Sequence, residues 1–262
     1  MTNALPVLLA ALAVAAPSFA DVTIKSTGTG EGLGMSGTSS STTYIKGLRM
    51  RVDGTLGKKA TSTIFDVDNQ KMYVLDEKKK LAEVWDMGQL SQEVASAVSV
   101  SGIQTTVKPN GQSKEIAGRN TEGYDLEVVV PATIGGPGGI AVTIAMNGTT
   151  WIARGAPGTQ DYSAFYAGAA ENGWIFSDPR AVKGQPGQAR AMAQMYAELA
   201  KLGGLPYESN MQIRLQGEGV MGGLMAKMGN VTTTSTVESV DAAPLADSLF
   251  EPPADYELKQ KN

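Results

Sequence analysis

Two spacings in this 262-residue chain could organise chemistry. Asp66, Asp68 and Glu77 fall at the first, third and twelfth positions of a calcium-binding loop. Lys71 stands at the sixth position, where such a loop needs glycine for its sharp turn, and the intervening Tyr73-Val74-Leu75 has the character of a strand. Gly32, Gly34 and Gly37 match the G-x-G-x-x-G of a dinucleotide-binding turn. The Ser and Thr run from Thr38 to Thr43 offers no helix to aim its N-terminus at a pyrophosphate, so this stretch reads as a flexible hairpin loop. The chain has no histidine and no cysteine. That excludes Ser-His-Asp and Cys-His nucleophilic machinery and removes the usual ligands of zinc and copper. Only carboxylate, lysine or tyrosine chemistry is left, and no spacing among the 26 acidic residues selects a hydrolytic pair. No catalytic residue, metal ligand or cofactor is assigned.

The remaining candidate site is apolar. Met221, Leu224 and Met225 lie among glycines in GVMGGLMAKMG, and they follow a segment already bearing Met192 and Met195. Methionine repacks around irregular partners, and it fills ordinary cores equally well, so a binding surface and a packed interior are both open. Tyr196 and Leu199 share a helical face with Met192 and Met195, while Met211 and Ile213 alternate on the strand that follows. Trp151, Tyr166 and Trp174 flank this region and complete the candidate lining of a hollow.

These residues need a scaffold. Residues 4–16 form an apolar run too short for a bilayer span and about the length of a signal-peptide core. Ser18 and Ala20 supply the small residues of a cleavage site before Asp21, although no Lys or Arg precedes the run. A signal peptide over 1–20 and a single domain over 21–262 are expected, in a periplasmic or secreted protein that does not span a membrane. The excess of 26 acidic over 22 basic residues argues against a nucleic-acid partner.

Val22 to Thr27 reads as a strand, with Gly28 to Ser41 as a connection. Tyr44, Leu48, Met50 and Val52 alternate with Arg49 and Arg51 as one strand face. STIFDVD, KMYVLDE and LAEVWDM form a meander, with Lys78 to Lys80 at a solvated turn. A short helix is expected over Gln89 to Val98, and strands over Ile103 to Val107 and Tyr124 to Val130. Asn147-Gly148 predicts a type I′ hairpin turn between IAVTIAM and TTWIARG. Thr159 can cap a helix reaching Ala170, and Pro186 opens another that stops at Gly203. Met211 to Leu215 and Val231 to Val240 return to strand. About ten strands with late helices and no strand-helix alternation make an α+β, antiparallel architecture.

STIFDVDNQKMYVLDEKKKLAEV, SKEIAGRNTEGYDLEV and SLFEPPADYEL together resemble a family of exported bacterial domains, the domain of unknown function 4412. That family looks related to the outer-membrane lipoprotein carriers. Thr121 stands where many relatives have a cysteine three residues before the tyrosine, here Tyr124, so no thiol role carries over. The resemblance implies a strongly curved antiparallel sheet, an unclosed half-barrel with helices covering its concave face, whose hollow accepts acyl chains in the carriers. It implies a non-catalytic binding or carrier protein for an apolar ligand such as a lipid or lipid-modified protein. The alternative is a structural or protein-interaction domain whose hollow is filled by its own helices.

Overall fold

The computed structural model describes residues 21–32, 35–57, 59–97, 102–134, 140–176, 178–182, 186–217 and 230–261. The candidate signal peptide and Met221, Leu224 and Met225 lie outside these residues.

Six strands open the chain as an antiparallel meander: β1 (Val22–Gly32), β2 (Met35–Lys46), β3 (Arg49–Leu56), β4 (Lys59–Asp66), β5 (Lys71–Asp76) and β6 (Leu81–Asp86). Their register aligns Val22, Ile45, Met50, Phe65, Met72 and Trp85 as one row of facing residues, all buried. Because side chains alternate between faces, the adjoining row of Tyr44, Arg51, Ile64 and Tyr73 points the other way. Tyr44 is thus not on the face of Met50 and Val52. The chain reverses at Gly47, whose φ of 56° is the left-handed conformation glycine favours, so two strands stand where the sequence reads as one.

After α1 (Met87–Ala97) come the long strands β7 (Gln104–Ile116), β8 (Arg119–Ile134) and β9 (Ile140–Ala153). Three helices follow, α2 (Thr159–Glu171), the short α3 (Pro179–Val182) and α4 (Pro186–Lys201). The chain then returns through β10 (Leu205–Gly217) and β11 (Val231–Ala242), a 3₁₀ turn at Asp247–Phe250, and β12 (Glu257–Lys261). The twelve strands form one open sheet in the order β12-β6-β5-β4-β3-β2-β1-β11-β10-β9-β8-β7. Every neighbouring pair is antiparallel except β12 with β6. The fold is α+β, with a sheet that does not close into a barrel.

Three further sequence expectations change. Asn147 and Gly148 make no turn: β9 runs straight through them, pairing with β8 on one side and β10 on the other. Hydrogen bonding on both edges holds the pair extended and overrides its turn preference. The Ser and Thr stretch after Gly28 is strand rather than connection, because β1 and β2 continue together to Gly32 and Met35. Hydroxyl pairs tie it across the sheet, Ser26 with Ser41 at 2.9 Å, Thr29 with Thr234 at 2.6 Å and Ser40 with Thr55 at 2.8 Å. Thr159 is the first residue of α2 rather than its cap; Gly158 caps without a side-chain bond, and the Thr159 hydroxyl is buried without a partner.

The helices cover one face of the sheet. Met87, Leu90 and Val94 of α1 and Phe165, Tyr166 and Ala169 of α2 join the row from Val22 to Trp85 in the main core. The opposite face of the meander buries Ile64, Leu75 and Ala82 under Phe250 of the C-terminal segment. Lys80, expected only to solvate its turn, also anchors that segment. Its Nζ lies 3.1 Å from Asp255 and 5.1 Å from the centre of the Tyr256 ring, and its carbonyl accepts from Glu257 N at 2.8 Å.

Candidate functional site

The sequence predicts an apolar face on α4, and the structure lays α4 against β7 and β8, with side chains of β9 and β10 completing the cluster beneath it. Ala191 and Met195 are buried against Val128 and Val130 of β8 and Met146 of β9, with Met192, Tyr196, Leu199, Ile144, Met211 and Ile213 half-buried around them. The helical spacing of Ala191, Met192, Met195 and Leu199 and the two-residue spacing of Met211 and Ile213 place both sets at one seam. Val128, Val130, Met146 and Ala191 are the seam residues that sequence reasoning missed. The alternation of Val128 with Val130 and of Ile144 with Met146 carried the signal, but the assumed turn at Asn147 took β9 out of the sheet interior.

Among the described residues, polar ties hold α4 sparingly. Past its end, Arg154 Nε donates to the Leu202 carbonyl at 3.2 Å, and within it Lys201 pairs with Glu198 at 2.6 Å. The seam is therefore held mainly by apolar contact.

Tyr196 links the seam to the main core. Its ring stacks on Tyr166 at 5.1 Å with 17° between the planes, and it meets Phe176 edge-on at 5.0 Å. Tyr162 adds a tilted contact to Tyr166 at 4.6 Å. Such geometry suits aromatic quadrupoles better than a face-to-face sandwich. Burial drives the phenol pKa values of Tyr162, Tyr166 and Tyr196 upward; Tyr196 adds to this at Tyr162, where the hydrogen bond with Tyr166 opposes it, and both neighbouring phenols add to it at Tyr166. These tyrosines stay protonated and pack as neutral rings.

The other sequence candidates separate. Trp174 is buried in the main core, edge-on to Phe65 at 6.5 Å, with its indole N–H unpartnered. Trp151 packs partly against that core and lines an open polar cleft rather than the α4 seam. Among the described residues no group of three or more acidic side chains is placed to hold a metal ion. No helix among them is long and apolar enough to cross a membrane.

No family model and no curated protein matches the chain. Solved structures similar to it include a chain of the MucA/MucB complex from Pseudomonas aeruginosa, at 11% identity and a TM-score of 0.33, over 90% of this chain and 57% of that one. A LolA superfamily protein from Nitrosomonas europaea matches at 7% identity and a TM-score of 0.30, over 89% of this chain and 91% of that one. An outer membrane lipoprotein-sorting protein domain from Vibrio parahaemolyticus matches at 6% identity and a TM-score of 0.33, over 90% and 91%. This chain thus spans little more than half of the MucA/MucB chain it resembles. Likeness at these scores carries no argument, and the fold rests on the strand order itself.

Proposed function

We propose that this chain is an exported, non-catalytic binding or carrier protein for an apolar ligand, a lipid or a lipid-modified protein, taken up beneath α4. The observation that carries the reading is the separate apolar cluster under that helix, whose rim residues Met192, Tyr196 and Leu199 are only half-buried. Methionine at Met192, Met195 and Met211 lets the seam repack around an entering chain, and among the described residues few polar ties oppose a shift of α4. Each acyl methylene transferred from water contributes about 0.8 kcal/mol, so a chain of modest length binds without a charged anchor. The narrower resemblance to domain of unknown function 4412 agrees with this reading and rests on the three quoted sequence stretches.

A second reading, a structural or interaction domain with a self-filled core, is favoured by the burial of Ala191, Val128, Val130 and Met146 against the protein's own side chains. Titration of a fluorescent fatty acid into wild type and Met195→Asp, with thermal melts of both, separates the two. The carrier reading expects saturable uptake by wild type, weakened in the variant, with limited loss of fold. A self-filled core expects no uptake and a loss of several kcal/mol in the variant, because an unpaired carboxylate would be buried.

A further inference from the structure

The sheet carries a second recess away from the α4 seam. It is an open cleft of about 860 Å³ floored by β7 to β11, within the roughly 300–1,000 Å³ of ligand pockets. Asn147 alternates with Met146, and Asn210 and Gln212 with Met211 and Ile213, so these amides stand on the face opposite α4. Lys114 of β7 reaches Glu208 of β10 at 2.7 Å across two intervening strands.

Its floor is braced. Asp125 Oδ1 accepts from Asn110 Nδ2 at 3.1 Å and from Thr149 Oγ1 at 3.0 Å, and Asn110 Oδ1 accepts from Gln112 N at 3.0 Å. The Asn110 amide occupies space left by Gly123, where a Cβ would come within 2.5 Å of Asn110 Oδ1. Lys114 Nζ also sits 4.3 Å from the centre of the Trp151 ring, fixing the indole at the wall. In contrast, the side-chain amides of Asn147 and Asn210 make no hydrogen bond within the protein among the described residues.

The chemistry of this lining selects a ligand class. Glu208 is neutralised by Lys114, which leaves Asp125 as the unpaired charge of the lining, and the lining holds no cation of its own; of the cations beside it, Arg214 donates to Gln212 Oε1 and Lys108 lies opposite Asp125 on β7. One carboxylate does not hold a metal, and one indole does not line an acyl pocket. Unbonded amides that both donate and accept, a carboxylate that accepts, and an apolar ring at the wall match a molecule with many hydroxyls and a C–H face. We propose that this cleft binds an uncharged oligosaccharide lying across the strands, with Asn147, Asn210, Gln212 and Asp125 meeting its hydroxyls and Trp151 its ring face. The site is independent of the apolar seam.

Isothermal titration of the protein starting at Asp21 with a panel of neutral hexose and N-acetylhexosamine tetrasaccharides tests it. Stoichiometric binding of at least one member is expected. Asn210→Ala and Asn147→Ala, which remove groups with no bond inside the protein, should each weaken it about tenfold, while fatty-acid uptake and thermal stability stay as in wild type. Trp151→Ala should abolish binding. No binding across the panel would overturn the proposal, as would undiminished binding by the Asn147→Ala, Asn210→Ala double variant. Binding of inorganic phosphate or of an extended casein-derived peptide in place of the sugars would overturn it too.

Discussion

Gly148 lies opposite Leu126 on one side and Met211 on the other. A Cβ there would drive into the Asn210 carbonyl oxygen and come within 2.9 Å of Met211 Cα. Backbone cannot yield as a side-chain tip can, so glycine is required for close approach of β10, not for a turn. Gly148→Ala should therefore cost about 1–3 kcal/mol through overpacking, and Gly148→Val more. Asn147→Val should cost little, because its side chain faces the open cleft and a β-branched residue suits an extended backbone. Urea denaturation of the three variants measures this; equal losses at both positions would contradict the continuous strand. At this scale the residue type was legible and its cause was not. Asn-Gly tolerates positive φ in isolation, whereas two flanking strands decide whether that freedom is used.

The C-terminal segment is the element that the sequence left unread. Phe250, on the 3₁₀ turn, is 2% exposed and closes the cluster of Ile64, Leu75 and Ala82. Arg49 lies over its ring at 5.3 Å and pairs with Asp247 at 2.6 Å, while Lys46 Nζ donates to the Leu245 carbonyl at 2.7 Å. Phe250→Ala should cost about 3–5 kcal/mol, the usual range for an aromatic removed from a core, and should expose a dye-binding apolar patch between Tyr44 and Tyr73. Native stability together with no increase in dye fluorescence would show that the segment is dispensable. Its final strand, ELKQK, has neither alternation nor β-branched residues, and only its parallel pairing with β6 makes it strand. By contrast, α1, α4 and the meander from β4 to β6 were legible, because each carries its own period and its own stop signal. Gly203, for example, follows α4 with φ at 64°.

At the scale of the whole molecule, the first described residue is tied to the far end of the chain. Leu245 N donates to Asp21 Oδ2 at 2.6 Å, and Lys46 lies 3.6 Å from the same oxygen. A chain cut before Asp21 retains both contacts, and the small residues preceding it fit signal-peptidase cleavage. N-terminal sequencing of protein from the periplasmic or culture fraction should accordingly read Asp21-Val22-Thr23, and a sequence beginning at Met1 would refute export with cleavage. The amino-acid sequence by itself determined the α+β class, the apolar face of α4 and the absence of histidine and cysteine chemistry. Composition and period act locally and need no partner to be read. The tertiary structure decided that Asn147 and Gly148 lie mid-strand, that Trp151 turns to a polar cleft while Trp174 enters the core, and that β12 pairs in parallel with β6. Each of those outcomes depends on which distant strand lies alongside, and that is set by burial summed over the whole sheet rather than by any short run of residues.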